Sequence, residues 1–155
     1  MKLSTARKFN ASAAQLWPLL FQSKMDDRQP CYLLCGLPKP LECRLADHHG
    51  GVGSTRECVS DKGIIKQQIL VWEPNRKLQF EMQETNIYFG PCVDSITETF
   101  EIKPINETQA YISRHTEFKV KAPLKPLLSI PMYIGLKSIH HYVFRNWARI
   151  CNTTL

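Results

Sequence analysis

Long apolar runs are missing from this chain. The longest, Leu124 to Leu136, is broken by Lys125, Pro126 and Pro131 and is too short to span a bilayer. Met1 to Lys8 has no apolar centre, so no signal peptide is expected. Low-complexity tracts and internal repeats are also absent. No Walker loop, G-x-G-x-x-G or G-x-S-x-G occurs, so no cofactor is expected. Cys31-x-x-x-Cys35 with His48-His49 matches no zinc spacing, so no metal is expected. Lys and Arg number 20 against 14 Asp and Glu, a net charge of +6. They are scattered, without the basic–aromatic interleaving that RNA recognition uses. The expectation is a solvated basic surface, no nucleic-acid partner and at most peripheral membrane contact. Six cysteines stand in the chain, and nothing marks it for export. Reduced thiols and a cytoplasmic location are therefore expected, with Cys43 and Cys58 acting as small apolar strand residues.

What is present is one domain's worth of chain. At 155 residues, 43% hydrophobic and 22% charged, residues 1–155 are expected to fold as a single domain with a real core. Leu3 to Phe9 alternates as a first strand. Ser12 and Gln15 have capping-box spacing and open a short helix from Ala13 to Phe21, with a kink or break expected at Pro18. Ser23 to Lys39 is irregular and reads either as a second helix near Asp26 to Leu34 or as a loop. From Leu41 the period is two. Strands are expected over Leu41–Leu45, Gly53–Ser60, Ile64–Trp72, Lys77–Glu84, Asp94–Lys103 and Thr108–Lys121. From Pro131 to Cys151 the period becomes 3.6. Ser129 is the expected cap, and Pro131 falls in the first turn, where proline is tolerated. This long helix carries the stripe Met132, Leu136, Ile139, Val143, Trp147 and Ile150. The order predicts an α+β architecture with the helix packed across one sheet face.

Three polar positions interrupt apolar faces. Glu98 shares a strand face with Ile96, Phe100 and Ile102. Arg114 shares one with Ala110, Ile112, Thr116 and Phe118. A turn centred on Asn106 sets Phe100 opposite Ile112 and Glu98 opposite Arg114, as a self-satisfied ion pair or as a polar anchor in an apolar pocket. His140 lies about 40° from Leu136 around the helix, beside the stripe, while His141, Arg145 and Arg149 fall outside it. A lone histidine there is either a satisfied core group or an acid/base group of the pocket. Arg56 alternates with Cys58, and if it faces inward the pocket gains a second cation suited to an anionic head group. Tyr88 and Phe89 sit on a loop that could cover a pocket mouth.

Several segments together resemble the START-like, helix-grip (SRPBCC) proteins, including the polyketide cyclase/dehydrase-like branch. These are Phe9-Asn-Ala-Ser-Ala-Ala-Gln-Leu-Trp17, Gly53-Ser-Thr-Arg-Glu-Cys58, Trp72-Glu-Pro-Asn-Arg-Lys-Leu78 and Ile112-Ser-Arg-His-Thr-Glu-Phe118, followed by a proline-rich link into the helix. The resemblance implies a curved antiparallel sheet of about seven strands around the C-terminal helix, short helices after the first strand, and a cavity between sheet and helix. It implies a small apolar or amphipathic ligand such as a lipid, with cyclase or dehydratase chemistry and a protein- or membrane-interaction module as alternatives. The expected ligand contacts are Arg56, Phe80, Met82, Glu98, Phe100, Ile112, Arg114, Phe118, Leu136, His140, Val143 and Trp147. The sequence assigns neither a catalytic residue nor an oligomeric state.

Overall fold

The alternating segments pair with their sequence neighbours, as hairpins do. The computed structural model describes residues 1–29 and 36–153. Its elements are β1 (Lys2–Phe9), α1 (Ala13–Phe21), β2 (Ser23–Lys24), β3 (Pro40–Leu45), β4 (Thr55–Ser60), β5 (Gly63–Glu73), β6 (Lys77–Thr85), a 3-10 turn (Gly90–Cys92), β7 (Val93–Asn106), β8 (Gln109–Val120) and α2 (Lys125–Thr153). The strands form one curled antiparallel sheet in the order β1-β8-β7-β6-β5-β4-β3-β2. The first strand closes against the last and the others meander. Helix α2 lies against the sheet, which gives the helix-grip architecture. The strand beyond the expected seven is β2, whose two residues are too few to show a period.

Both helices differ from expectation at prolines, for one reason. Helix α1 has the expected capping box between Ser12 and Gln15, and it runs unbroken through Pro18. Helix α2 starts six residues before Pro131, at Lys125, and carries Pro131 inside it. Proline removes the bond to the carbonyl four residues back. Those carbonyls belong to Ala14 and Leu127, both exposed residues, so water replaces the lost donor. Pro126 stands in the first turn of α2, where no N–H is needed. Ser129 is within the helix and donates to Lys125 O at 2.6 Å instead of capping it.

After β2 the chain is not helical through Gln29. Residues 30–35, with Cys31, Cys35 and most of the alternative second helix, lie outside the described residues. Arg149, outside the apolar stripe of the helix, holds Asp26 of this segment at 2.7 Å. The cysteine expectation is also corrected at one pair. The β3–β4 register sets Cys43 opposite Cys58, and the two are joined as a disulfide with Cα atoms 4.2 Å apart.

The main core lies between the sheet and the C-terminal half of α2. Phe9, Leu78, Phe80, Phe100 and Ile112 pack there with Tyr142, Phe144 and Trp147. Phe9 meets Phe144 edge-on at 5.6 Å, and Phe100 lies 5.7 Å from Trp147. Under the N-terminal half of α2 a smaller cluster gathers Leu3, Val93, Ile96, Phe118 and Val120, with Met132 and Leu136 packed on it.

Candidate functional site

Three strands place charged side chains on the face that α2 covers. The β7–β8 hairpin is shifted by two residues from the expected register. Glu98 stands opposite Thr116, Phe100 opposite Arg114 and Ile102 opposite Ile112. The cause is the turn. Asn106 pairs with Gln109, so Glu107 and Thr108 form the loop, and the register slips between Pro104 and Asn106, where proline has no N–H to donate. A shift of two keeps every side chain on its face. Glu98 and Arg114 are therefore diagonal neighbours, and the long arginine still closes the pair. Arg114 Nε donates to Glu98 Oε2 at 2.7 Å and Nη2 to Oε1 at 2.7 Å. Both are buried, at 8% exposed for Arg114 and 6% for Glu98. The third guanidinium nitrogen, Nη1, is buried without a hydrogen-bond partner among the described residues.

Arg56 points inward. It stands opposite Gln67 across β4–β5, and both are buried. Its Nε donates to Leu20 O at 3.1 Å, and its Nη1 donates to Gln67 Oε1 and to Cys58 Sγ. Its guanidinium lies 4.3 Å from the centre of the Phe80 ring, a cation–π contact. Burial pushes Arg56 down to about 9; Glu98 opposes this and Arg114 adds to it. It stays charged at neutral pH. Arg114 in turn stacks over Phe100 at 5.2 Å, and the two rings are 5.9 Å apart. The two cations thus rest on adjoining aromatic rings.

These groups are part of the lining of a cavity of about 100 Å³ between sheet and helix. Its walls are apolar, from Met82, Ile96, Phe100, Leu136, Ile139, Val143 and Trp147. Its polar groups include Arg56, Gln67, Glu98 and Arg114. A second cavity of about 240 Å³ adjoins it toward the start of α2, lined by Leu128, Met132, Gly135 and Tyr88 among others. The two share Pro38, Phe89, Ile96, Leu136 and Ile139. Gly135 is what lets the segment before β3 approach the helix: a Cβ there would stand 2.8 Å from the Leu37 side chain. Tyr88 and Phe89 sit on the loop at this outer end, with Tyr88 Oη donating to Gly36 O at 3.0 Å.

Of the twelve expected contacts, Arg56, Met82, Glu98, Phe100, Arg114, Leu136, Val143 and Trp147 line the inner cavity. Phe80, Ile112, Phe118 and His140 do not. Phe80 is covered by Arg56, while Ile112 and Phe118 are packed in the two apolar clusters. His140 is fully buried behind the lining, between two threonines. Its Nε2 meets Thr116 Oγ1 at 2.8 Å and its Nδ1 meets Thr5 Oγ1 at 3.1 Å. Burial, reinforced by Arg114, drives its imidazole far below the ordinary 6.5, so it is neutral. Sequence reasoning missed Gln67, although the signal was there: a polar residue between Ile65 and Ile69 at strand spacing. It also gave no sign that Trp147 Nε1 would be buried without a partner among the described residues. Among those residues no group of three His, Cys, Asp or Glu could hold a metal ion, and no helix is long and apolar enough to cross a membrane.

No known family profile matches the chain, and no curated protein matches it by sequence. Solved structures do. A START superfamily protein from Mycobacterium smegmatis superposes with a TM-score of 0.70 at 11% identity, covering 99% of each chain. A protein from Thermus thermophilus gives 0.69 at 11% identity, again over 99% of each. A norcoclaurine synthase point mutant from Thalictrum, in complex with a transition-state analogue, gives 0.55 at 14% identity over 94% of each. The chain has the START-like helix-grip fold.

Proposed function

We propose that this START-like chain binds one small hydrophobic or amphipathic molecule in the cavity between sheet and α2. The observation that carries the reading is the pair of adjoining cavities, apolar along their walls and with charged residues only in the inner one, which is how ligand sites are built. An oily body would lie along Leu136, Ile139 and Val143, with its polar end toward Glu98 and Arg114. The cyclase or dehydratase reading needs an acid or base in the open cavity. His140 is not in the lining and both of its nitrogens are occupied, and Glu98 is held by Arg114. The geometry therefore favours binding over turnover. A neutral hydrophobic fluorophore should bind saturably at one per chain, and Val143→Trp, which fills the inner cavity, should weaken it at least tenfold. Unsaturable binding, or binding indifferent to Val143→Trp, would sink the proposal.

A second reading, contact with an anionic membrane surface, rests on a separate observation. Leu127, Ile130 and Ile134 are exposed at 71%, 64% and 59%, and their spacing places them on one face of α2 beside the outer cavity. Between Lys119 and Lys137 the chain carries four lysines and no acidic residue. Such a surface would bring the cavity mouth to a lipid source. Co-sedimentation with vesicles containing phosphatidylserine, lost in Leu127→Asp/Ile130→Asp and at high salt, is the expected result; equal sedimentation of the variant would refute it.

A further inference from the structure

The charges and orphaned hydrogen-bonding atoms of the inner cavity specify more than an oily ligand. Three charged residues line it among those described: Arg56, Glu98 and Arg114. Two cations against one carboxylate leave one uncompensated positive charge among three buried side chains. The buried anion is already committed, since Glu98 takes two hydrogen bonds from Arg114. Behind the lining, neutral His140 adds no charge.

The orphaned atoms have the same sense. Three residues of the lining have buried polar atoms without a hydrogen-bond partner among the described residues: Arg114 Nη1, Trp147 Nε1 and Ser23 Oγ. The first two can only donate, and the third can donate. No acceptor-only atom of the lining is left unpartnered. Buried donors without acceptors are costly, so a group that supplies acceptors gains binding free energy here. Arg114, Trp147 and Arg56 gather around two adjoining aromatic rings. Phe100 has the Arg114 guanidinium 5.2 Å from its ring centre and the Trp147 ring 5.7 Å away. Next to it Phe80, 5.9 Å away, carries Arg56 at 4.3 Å.

We infer that the ligand is a monoanionic amphiphile, an organic acid whose carboxylate takes hydrogen bonds from Arg114 and Trp147 beside Arg56 while its apolar body runs along α2 toward the outer cavity. This rests on the binding reading above and adds the charge and chemical class of the ligand. A carboxylate supplies acceptors and no donor, and one negative charge matches the one uncompensated positive charge. An amine would bring a second unbalanced cation. An alcohol would accept from these donors more weakly, bring a donor of its own and leave the charge.

The test is displacement of the neutral fluorophore N-phenyl-1-naphthylamine from the full chain at neutral pH by decanoate, decanol and decylamine. These share a chain and differ in the polar end. Decanoate should bind about tenfold or more tighter than decanol, because a charge-assisted hydrogen bond is among the stronger ones, and decylamine should bind weakest. Trp147→Phe keeps a ring and deletes the N–H, and Arg56→Gln removes the extra charge. Each should weaken decanoate severalfold and decanol by clearly less, so that the acid-over-alcohol ratio falls, whereas Arg56→Lys should keep the preference for the acid. If the fluorophore binds and decanol matches or exceeds decanoate, the acid inference is overturned and the binding reading stands. If neither the fluorophore nor any decyl compound binds saturably, both fall. Thermal melts of each variant separate lost binding from lost folding.

Discussion

Arg114 and Glu98 are buried as a two-bonded pair, and removing one partner leaves the other as an isolated interior charge. Arg114→Met is expected to cost about 3–5 kcal/mol in urea unfolding, and Glu98→Leu/Arg114→Met less than Arg114→Met alone. His140 gives a pH signature. Its imidazole is held neutral in the fold but takes a proton near the ordinary 6.5 when the chain is unfolded. The unfolded state therefore binds more protons below that pH. The stability contributed by neutral His140 is present above 6.5 and is lost as pH falls, by about 1.4 kcal/mol per pH unit. Replacing His140 with Gln should flatten the dependence of stability on pH between 6.5 and 5. An unchanged slope would show that other groups carry it. Glu98 and Arg114 were legible in the sequence because each is a lone charge among apolar residues of its strand face. Arg56 was not, because polar and apolar residues mix on both faces of Thr55–Ser60. The position of His140 beside the helical stripe was also legible, but the threonines that enclose it come from β1 and β8, far away in sequence.

At the scale of elements, the prolines and caps set the helix energetics. Ser12→Ala removes the side chain that caps α1 and should cost about 1 kcal/mol. Pro131 interrupts the bonding of α2 at an exposed position. Pro131→Ala should therefore stabilise the protein, by up to about 3 kcal/mol, as seen by a higher unfolding midpoint. A destabilised variant would mean that the proline's fixed geometry shapes the outer cavity it lines. Strand existence was readable because period-two alternation survives wherever one face is buried. Register was less readable, because it depends on where a turn closes, and this one closes over Glu107 and Thr108 instead of at Asn106, which shifts every partner by two. The start of α2 was misplaced because proline reads as a boundary, while exposed backbone lets a helix continue through it. The Cys43–Cys58 pairing depends on a strand register that spacing alone does not give.

For the whole molecule, one curled sheet and one long helix enclose a space that neither fills. The architecture was legible from the change of period near Pro131 and from the resemblance of scattered segments to helix-grip proteins. The cavity boundary was only partly so. Residues such as Ser23, on a two-residue strand, and Ile87, outside the strands, reach it without any period that a sequence could display. The central claim is that this space is a ligand site. Its most direct test is native mass spectrometry of the protein as purified, followed by denaturing release. One small molecule per chain, lost on denaturation and diminished in Val143→Trp, is the predicted result. A bare chain mass, together with failure to take up any added amphiphile, would contradict it.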